Sequence, residues 1–304
     1  LGDHLCHGYA TTFAISGLPG VGKTTLACTL AQDPRIQASF PDGVLWAGLG
    51  VHPDLQHHLV RWGTLLGLSV LSLNALHDGN HEKDLMMAVR GAIGLRRMLL
   101  VLDDAWTVED AHAFQIGGPR CATLITTRFS TLATTLGGEP LILHELTSDQ
   151  SLDLLHLLAP QVVEYEAQKV RALAETVGGL PLALTLIGNY LRLQGTSGQT
   201  RRVQVAIDQL HSIKNRLHLS EPRNPIDHHP SLSDEQPLSL DSVIAVTDQQ
   251  LQVHARTALY ALSVLPAKPE SFPEEVALTV AACSLESLYD LLDMGLLESA
   301  GDGR

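Results

Sequence analysis

The stretch Phe13–Ala27, FAISGLPGVGKTTLA, constrains the fold of this 304-residue chain more than any other. A β-prone apolar run leads into a glycine-rich loop of the pattern GxxxxGK[ST], and a helix-forming run follows at once. Gly17, Gly20 and Gly22 let the backbone turn tightly and point several N–H groups inward. Val21 and Thr25 complete the loop, and the helix that begins at its end adds a positive dipole to the same spot. Such a cradle suits a chain of phosphates. Lys23 is placed to reach the β- and γ-phosphates, and the Thr24 hydroxyl to join the shell of a Mg²⁺ ion. The pattern requires a strand that feeds directly into a helix, so it predicts an α/β domain.

The rest of the first half agrees. Strand-like segments fall at Thr11–Ile15, Val44–Leu49, Leu99–Leu102, Ala122–Thr126 and Leu141–Leu143. Helical patterns separate them, among them Leu26–Gln32, Leu55–Leu66 and Lys83–Ile93. Near-continuous apolar strands alternating with helices indicate a parallel sheet covered on both faces, a three-layer α/β domain over residues 1–147. Beyond Thr147 helical spacing takes over. Ser148 is the expected N-cap of a helix through SDQSLDLLHLLAP. Two more helices are broken at Gly178-Gly179, with Pro181 in the first turn of the second. A further helix is predicted over Arg201–Leu217, closing a helical region at 148–219. Residues 220–238 carry four prolines and no apolar periodicity, as a linker or surface excursion would. Short helices and a possible strand at LLES make up 239–304.

Two more segments complete the chemistry. In MLLVLDDAW a buried strand ends at Asp103, placed to hold Mg²⁺, and Asp104, placed to polarise an attacking water. In TLITTR another apolar strand ends in Thr126, Thr127 and Arg128, hydroxyls and a cation suited to a γ-phosphate. All three segments end at the carboxyl edge of the expected sheet, where ligands of open α/β sheets bind.

GLPGVGKTTLA, DGVLWAGLG, LLVLDDAW, LITTR and GGLPLAL occur in the order and approximate spacing of the NB-ARC domains. The chain therefore resembles that family, part of the STAND class of signalling P-loop NTPases, which includes plant disease-resistance receptors, apoptotic scaffold proteins and bacterial regulators. The resemblance implies a bacterial regulatory or defence protein. It places the TTR strand between the phosphate-loop strand and the DDAW strand. It also implies a helical subdomain carrying the GLPL motif, then a winged-helix subdomain at 239–304, cut short at Arg304. By the same resemblance Pro181 covers the adenine and sugar side of the nucleotide, and Arg128 senses the γ-phosphate. ATP or ADP with Mg²⁺ is the expected cofactor set, and Asp104, Lys23 and Arg128 are the expected catalytic groups. Self-association on activation, through flanking domains, is the expected assembly.

Composition narrows the alternatives. A net charge of −13 argues against a general nucleic-acid or acidic-membrane binder. Residues 239–304 hold ten acidic and three basic side chains, a balance of −7, and SLESLYDLLDMG carries no base. That makes DNA contact by a winged helix unfavourable and predicts a packing and hinge element that loosens when ATP replaces ADP. Cys6, Cys28, Cys121 and Cys283 are scattered, as reduced thiols of a cytoplasmic protein are. No apolar run is long enough to span a membrane. The adjacent pairs His57-His58 and His228-His229 match no metal-ligand spacing. The absence of an initiator Met and the ending AGDGR suggest a piece of a longer protein. Two functions are weighed: a nucleotide-dependent switch that hydrolyses ATP slowly, and a processive AAA-like ATPase motor. A motor needs an arginine offered to a neighbouring subunit and a substrate-threading loop, and neither is assignable here, so the switch is the expectation.

Overall fold

The computed structural model describes residues 11–69, 82–136, 139–195, 200–212, 216–221, 230–232, 238–265, 271–293 and 296–297. They fall into two compact units. The first takes its residues from Leu1–Gly17, Lys23–Leu143 and His229–Ser233, the second from Leu18–Gly22, His144–His228 and Asp234–Arg304.

In the first unit β1 (Thr12–Ser16) precedes α1 (Lys23–Gln32), and α2 (Pro34–Ser39) leads to β2 (Val44–Gly48). Then come α3 (Leu55–Leu65), α4 (Glu82–Ile93), β3 (Leu99–Ala105), α5 (Val108–His112), β4 (Ala122–Thr127), α6 (Ser130–Thr135) and β5 (Glu139–Ile142). The five strands form one parallel sheet in the order β2-β3-β4-β1-β5. The TTR strand β4 thus lies between the loop strand β1 and the DDAW strand β3, as the resemblance implied. Side-chain alternation builds a core on each face of the sheet. On one face Leu100 and Leu102 of β3 pack with Leu59, Trp62, Val89, Phe114 and Ile125. On the other, Leu99 and Val101 pack with Phe13, Ile15, Ala27, Ile36 and Leu124. Every residue of β3 is buried, which is why its first four positions, Leu99–Leu102, read as a continuous apolar run with no polar alternation.

The second unit is mostly helical. It contains α7 (Ser148–Leu158), α8 (Pro160–Thr176), α9 (Pro181–Gly195) and α10 (Thr200–Leu210). A two-residue antiparallel pair, β6 (Ser220–Glu221) with β7 (Leu238–Ser239), follows. After it come α11 (Leu240–Gln250), α12 (Val253–Leu262), α13 (Glu274–Ala281) and α14 (Leu285–Asp293). Leu155, Leu173, Leu184, Ile187, Leu191 and Ile207 form one apolar core, and Ala258, Leu262, Ala277 and Leu291 belong to another.

Several local expectations are corrected. Thr147, not Ser148, caps α7. Its hydroxyl accepts from the Gln150 N–H while the Gln150 side chain accepts from the Thr147 N–H, a capping box. The helix read over Arg201–Leu217 stops at Leu210. Leu296–Leu297 form a bend rather than a strand, and the remainder of LLES lies outside the described residues. The described residues after Ser239 are helices and their connections, with no wing strand among them.

Candidate functional site

The site starts from an irregularity in the sheet. β3 and β4 pair in register as far as Leu102 opposite Ile125 and resume at Ala105 opposite Thr127. Two residues, Asp103 and Asp104, therefore oppose the single Thr126, which is a β-bulge. Asp104 takes φ +55°, a left-handed conformation uncommon for a residue with a Cβ. A bulge leaves one N–H without a ladder partner, and here the Thr126 hydroxyl accepts it, 2.8 Å from the Asp104 nitrogen. The same hydroxyl donates to Asp103 Oδ1 at 2.6 Å. One threonine therefore satisfies the bulged backbone and orients the first carboxylate.

Thr24, at the start of α1, donates to the same Asp103 Oδ1 at 2.8 Å. A hydroxyl paired with a carboxylate at a helix N-terminus is a donor set suited to a hard cation. Burial pushes the Asp103 carboxyl above its usual range, against the hydrogen bonds from Thr126 and Thr24 that favour the ion. Lys23 is 8% exposed and donates to the Gly17 carbonyl at 2.9 Å, tying the two ends of the loop. Burial, with the Arg128 charge adding to it, lowers its pKa to about 8 despite Asp104 and Asp103. A buried lysine with a depressed pKa is a group short of negative charge, which a phosphate chain supplies.

Arg128 follows β4 directly. Its Nε lies 3.4 Å from Asp104 Oδ1, with both side chains buried, and its guanidinium carbon sits 4.7 Å from the Trp106 ring centre. Cation and ring together fix the arginine beside the second aspartate. Thr127 is the last residue of β4. It is fully buried, its hydroxyl donates to the Ala105 carbonyl at 2.8 Å, and it accepts from the Phe129 N–H at 3.1 Å. It fastens the turn after β4. Thr126, whose part the sequence did not distinguish, is the organising residue.

The loop itself runs through positive φ at Gly17, Gly20 and Gly22, at 150°, 79° and 99°, values that glycine adopts without strain. Within the second unit the Gly20 carbonyl accepts from the Leu182 N–H at 3.1 Å. That attaches loop residues to the GLPL segment in which Pro181 opens α9. Val21 is buried, while Thr25 is exposed and its carbonyl accepts from the Thr29 hydroxyl. The first unit thus brings Lys23, Thr24, Asp103, Asp104, Thr126 and Arg128 together, and Pro181 belongs to the second.

Among the described residues no group of three His, Cys, Asp or Glu is placed to hold a metal, and His228 and His229 lie outside them. No described helix is long and apolar enough to cross a membrane.

The chain is similar to several known proteins. The chain is 31% identical over 188 residues to "Probable disease resistance protein At4g33300" of Arabidopsis thaliana, covering 59% of this chain and 21% of that protein. It is 26% identical over 298 residues to "Regulatory protein AfsR" of Streptomyces coelicolor, covering 96% of this chain and 28% of that one. Among solved structures, a STAND protein with a tetratricopeptide repeat sensor from Pyrococcus horikoshii aligns with 98% of this chain and 38% of its own, at 19% identity and a TM-score of 0.42. The chain spans between a fifth and a third of the length of these two curated relatives. The profile of the NB-ARC domain matches residues 2–163, more than half of the sequence, and the chain belongs to the NB-ARC family.

Proposed function

We propose that this region binds ATP and ADP with Mg²⁺ and acts as a nucleotide-dependent switch, hydrolysing ATP slowly to reset itself. The observation that carries the reading is the bulge. It sets two consecutive carboxylates side by side, one paired with the Thr24 hydroxyl and the other with Arg128.

The residues fit a nucleotide and its cation. Gly17, Gly20, Val21, Gly22, Lys23, Thr24 and Thr25 form the phosphate loop, with Lys23 as its cation. Thr24 and Asp103 would hold Mg²⁺, which when bound neutralises phosphate charge. Asp104 orients and polarises the attacking water. Arg128 is held by Asp104 and Trp106, so a γ-phosphate competes for it while ADP does not. That difference is what a switch needs, because a ligand shifts an equilibrium only by its differential affinity. Pro181 lines the adenine and sugar side. The relatives are a disease resistance protein and a regulatory protein, each much longer than this chain, and the switch is proposed as the central module of a longer protein of that kind. It works in the cytoplasm and self-associates through flanking domains when activated.

The direct test is binding. Lys23→Ala leaves the phosphates to backbone groups, and ADP affinity is expected to fall at least tenfold, about 1.4 kcal/mol. Calorimetric titration giving the wild-type affinity would overturn the phosphate-loop assignment.

A further inference from the structure

The proline-rich segment between β6 and β7 does more than join them. A short turn from it, Pro230–Leu232, belongs to the first unit, with Leu232 buried. Its seat is made by two glycines, Gly48 at the end of β2 and Gly50 just beyond it. A Cβ on Gly48 would come within 2.8 Å of Pro230 Cγ, and one on Gly50 within 2.5 Å of the Pro230 carbonyl oxygen. Gly50 is itself joined to the bulge, its N–H donating to the Asp104 carbonyl at 3.0 Å. From this seat the Ser231 hydroxyl donates a hydrogen bond to Asp104 Oδ2, across 127 positions of sequence. The other oxygen, Oδ1, faces Arg128.

We propose that Pro230–Leu232 is an inhibitory plug that caps the Asp104 carboxylate and restrains hydrolysis. The inference rests on the reading of Asp104 as the water-polarising group. A carboxylate acts as a base through its free lone pairs, and each donated hydrogen bond or nearby cation stabilises the anion and weakens it. With Arg128 on one oxygen and Ser231 on the other, Asp104 is a poorer base than an open carboxylate. The contact is built rather than incidental. Proline fixes the backbone of the turn, Leu232 anchors it in the core, and the missing side chains of Gly48 and Gly50 leave the space it fills. Hydrolysis then requires the turn to leave, so turnover scales with how often it does.

The whole chain is assayed for steady-state ATP hydrolysis and, separately, for ADP binding by calorimetry. Ser231→Ala is expected to raise turnover at least fivefold with ADP affinity within twofold of wild type. Ser231→Thr keeps the hydroxyl and is expected to restore the wild-type rate, which a purely packing role would not require. Gly48→Ala forces Pro230 from its seat without touching Asp104, and is expected to match Ser231→Ala. Turnover that stays level or falls in Ser231→Ala overturns the plug, as does Ser231→Thr matching Ser231→Ala. A wild type that binds ADP but shows no turnover supports it if Ser231→Ala gains turnover and overturns it otherwise. Absence of ADP binding in the wild type sinks the nucleotide reading, and the plug with it; normal binding with unresponsive variants sinks the plug alone.

Discussion

The carboxyl ends of β3 and β4 and the core of the helices spanning 148–210 are equally buried but made of opposite materials. At the strand ends Asp103, Asp104, Thr126, Thr127 and Arg128 are each at most 6% exposed, and each finds a partner in another polar group or a ring. In the helical core the buried residues are aliphatic, and Ser151 is the one buried polar residue among those described there. An apolar core is held by area and shape, so losing one side chain costs a cavity and leaves its neighbours intact. A buried polar cluster is held by reciprocity. Remove one member and another is left unpaired. The first region can therefore carry chemistry at fixed geometry, and the second can carry only packing.

Three measurements test this contrast, in descending order of effect. Ile187→Ala, in the helical core, is expected to cost roughly 2–5 kcal/mol of stability. Denaturant unfolding reports it, and a loss below 1 kcal/mol would mean that the core is loosely packed. Asp104→Ala is expected to slow hydrolysis roughly a hundredfold, about 2.7 kcal/mol, while ADP binding stays within a few-fold. Asp103→Ala is expected instead to weaken Mg²⁺-dependent binding. Identical behaviour of the two variants in binding and turnover breaks the division of labour between adjacent carboxylates. Thr126→Val keeps shape and removes the hydroxyl that Asp104 N–H and Asp103 both use, at an expected cost of about 1–3 kcal/mol for the orphaned groups. A neutral result in thermal unfolding would show that water replaces the hydroxyl, and reciprocity would not describe the region.

What sequence reading captured and missed divides along the same line. Strand positions were legible because β3 is buried on both faces and no polar residue interrupts Leu99–Leu102. The bulge beyond was not, because bulges that need a left-handed residue are usually marked by glycine, and here Asp104 takes that conformation itself. The paired aspartates were legible as polar residues at a strand end but not as a bulge. Thr126 and Thr127, adjacent and chemically alike, point to different partners, and only the register of β4 separates them. The break between α8 and α9 followed from Gly178-Gly179 and Pro181. The end of α10 at Leu210 did not, since the sequence after it keeps its helical character without a stop signal. The seat of Pro230–Leu232 was illegible in principle, because a three-residue contact across such a separation leaves no periodic trace.

The left-handed backbone at Asp104 has a consequence for anyone who evolves or redesigns this protein. Local conformational preference at that position favours glycine, or asparagine, over aspartate, because a Cβ in that region is strained. The buried Arg128 cation pulls the other way, because a residue without a carboxylate removes one of its partners. A library sorted on heat resistance would therefore be expected to exchange residue 104 only together with residue 128.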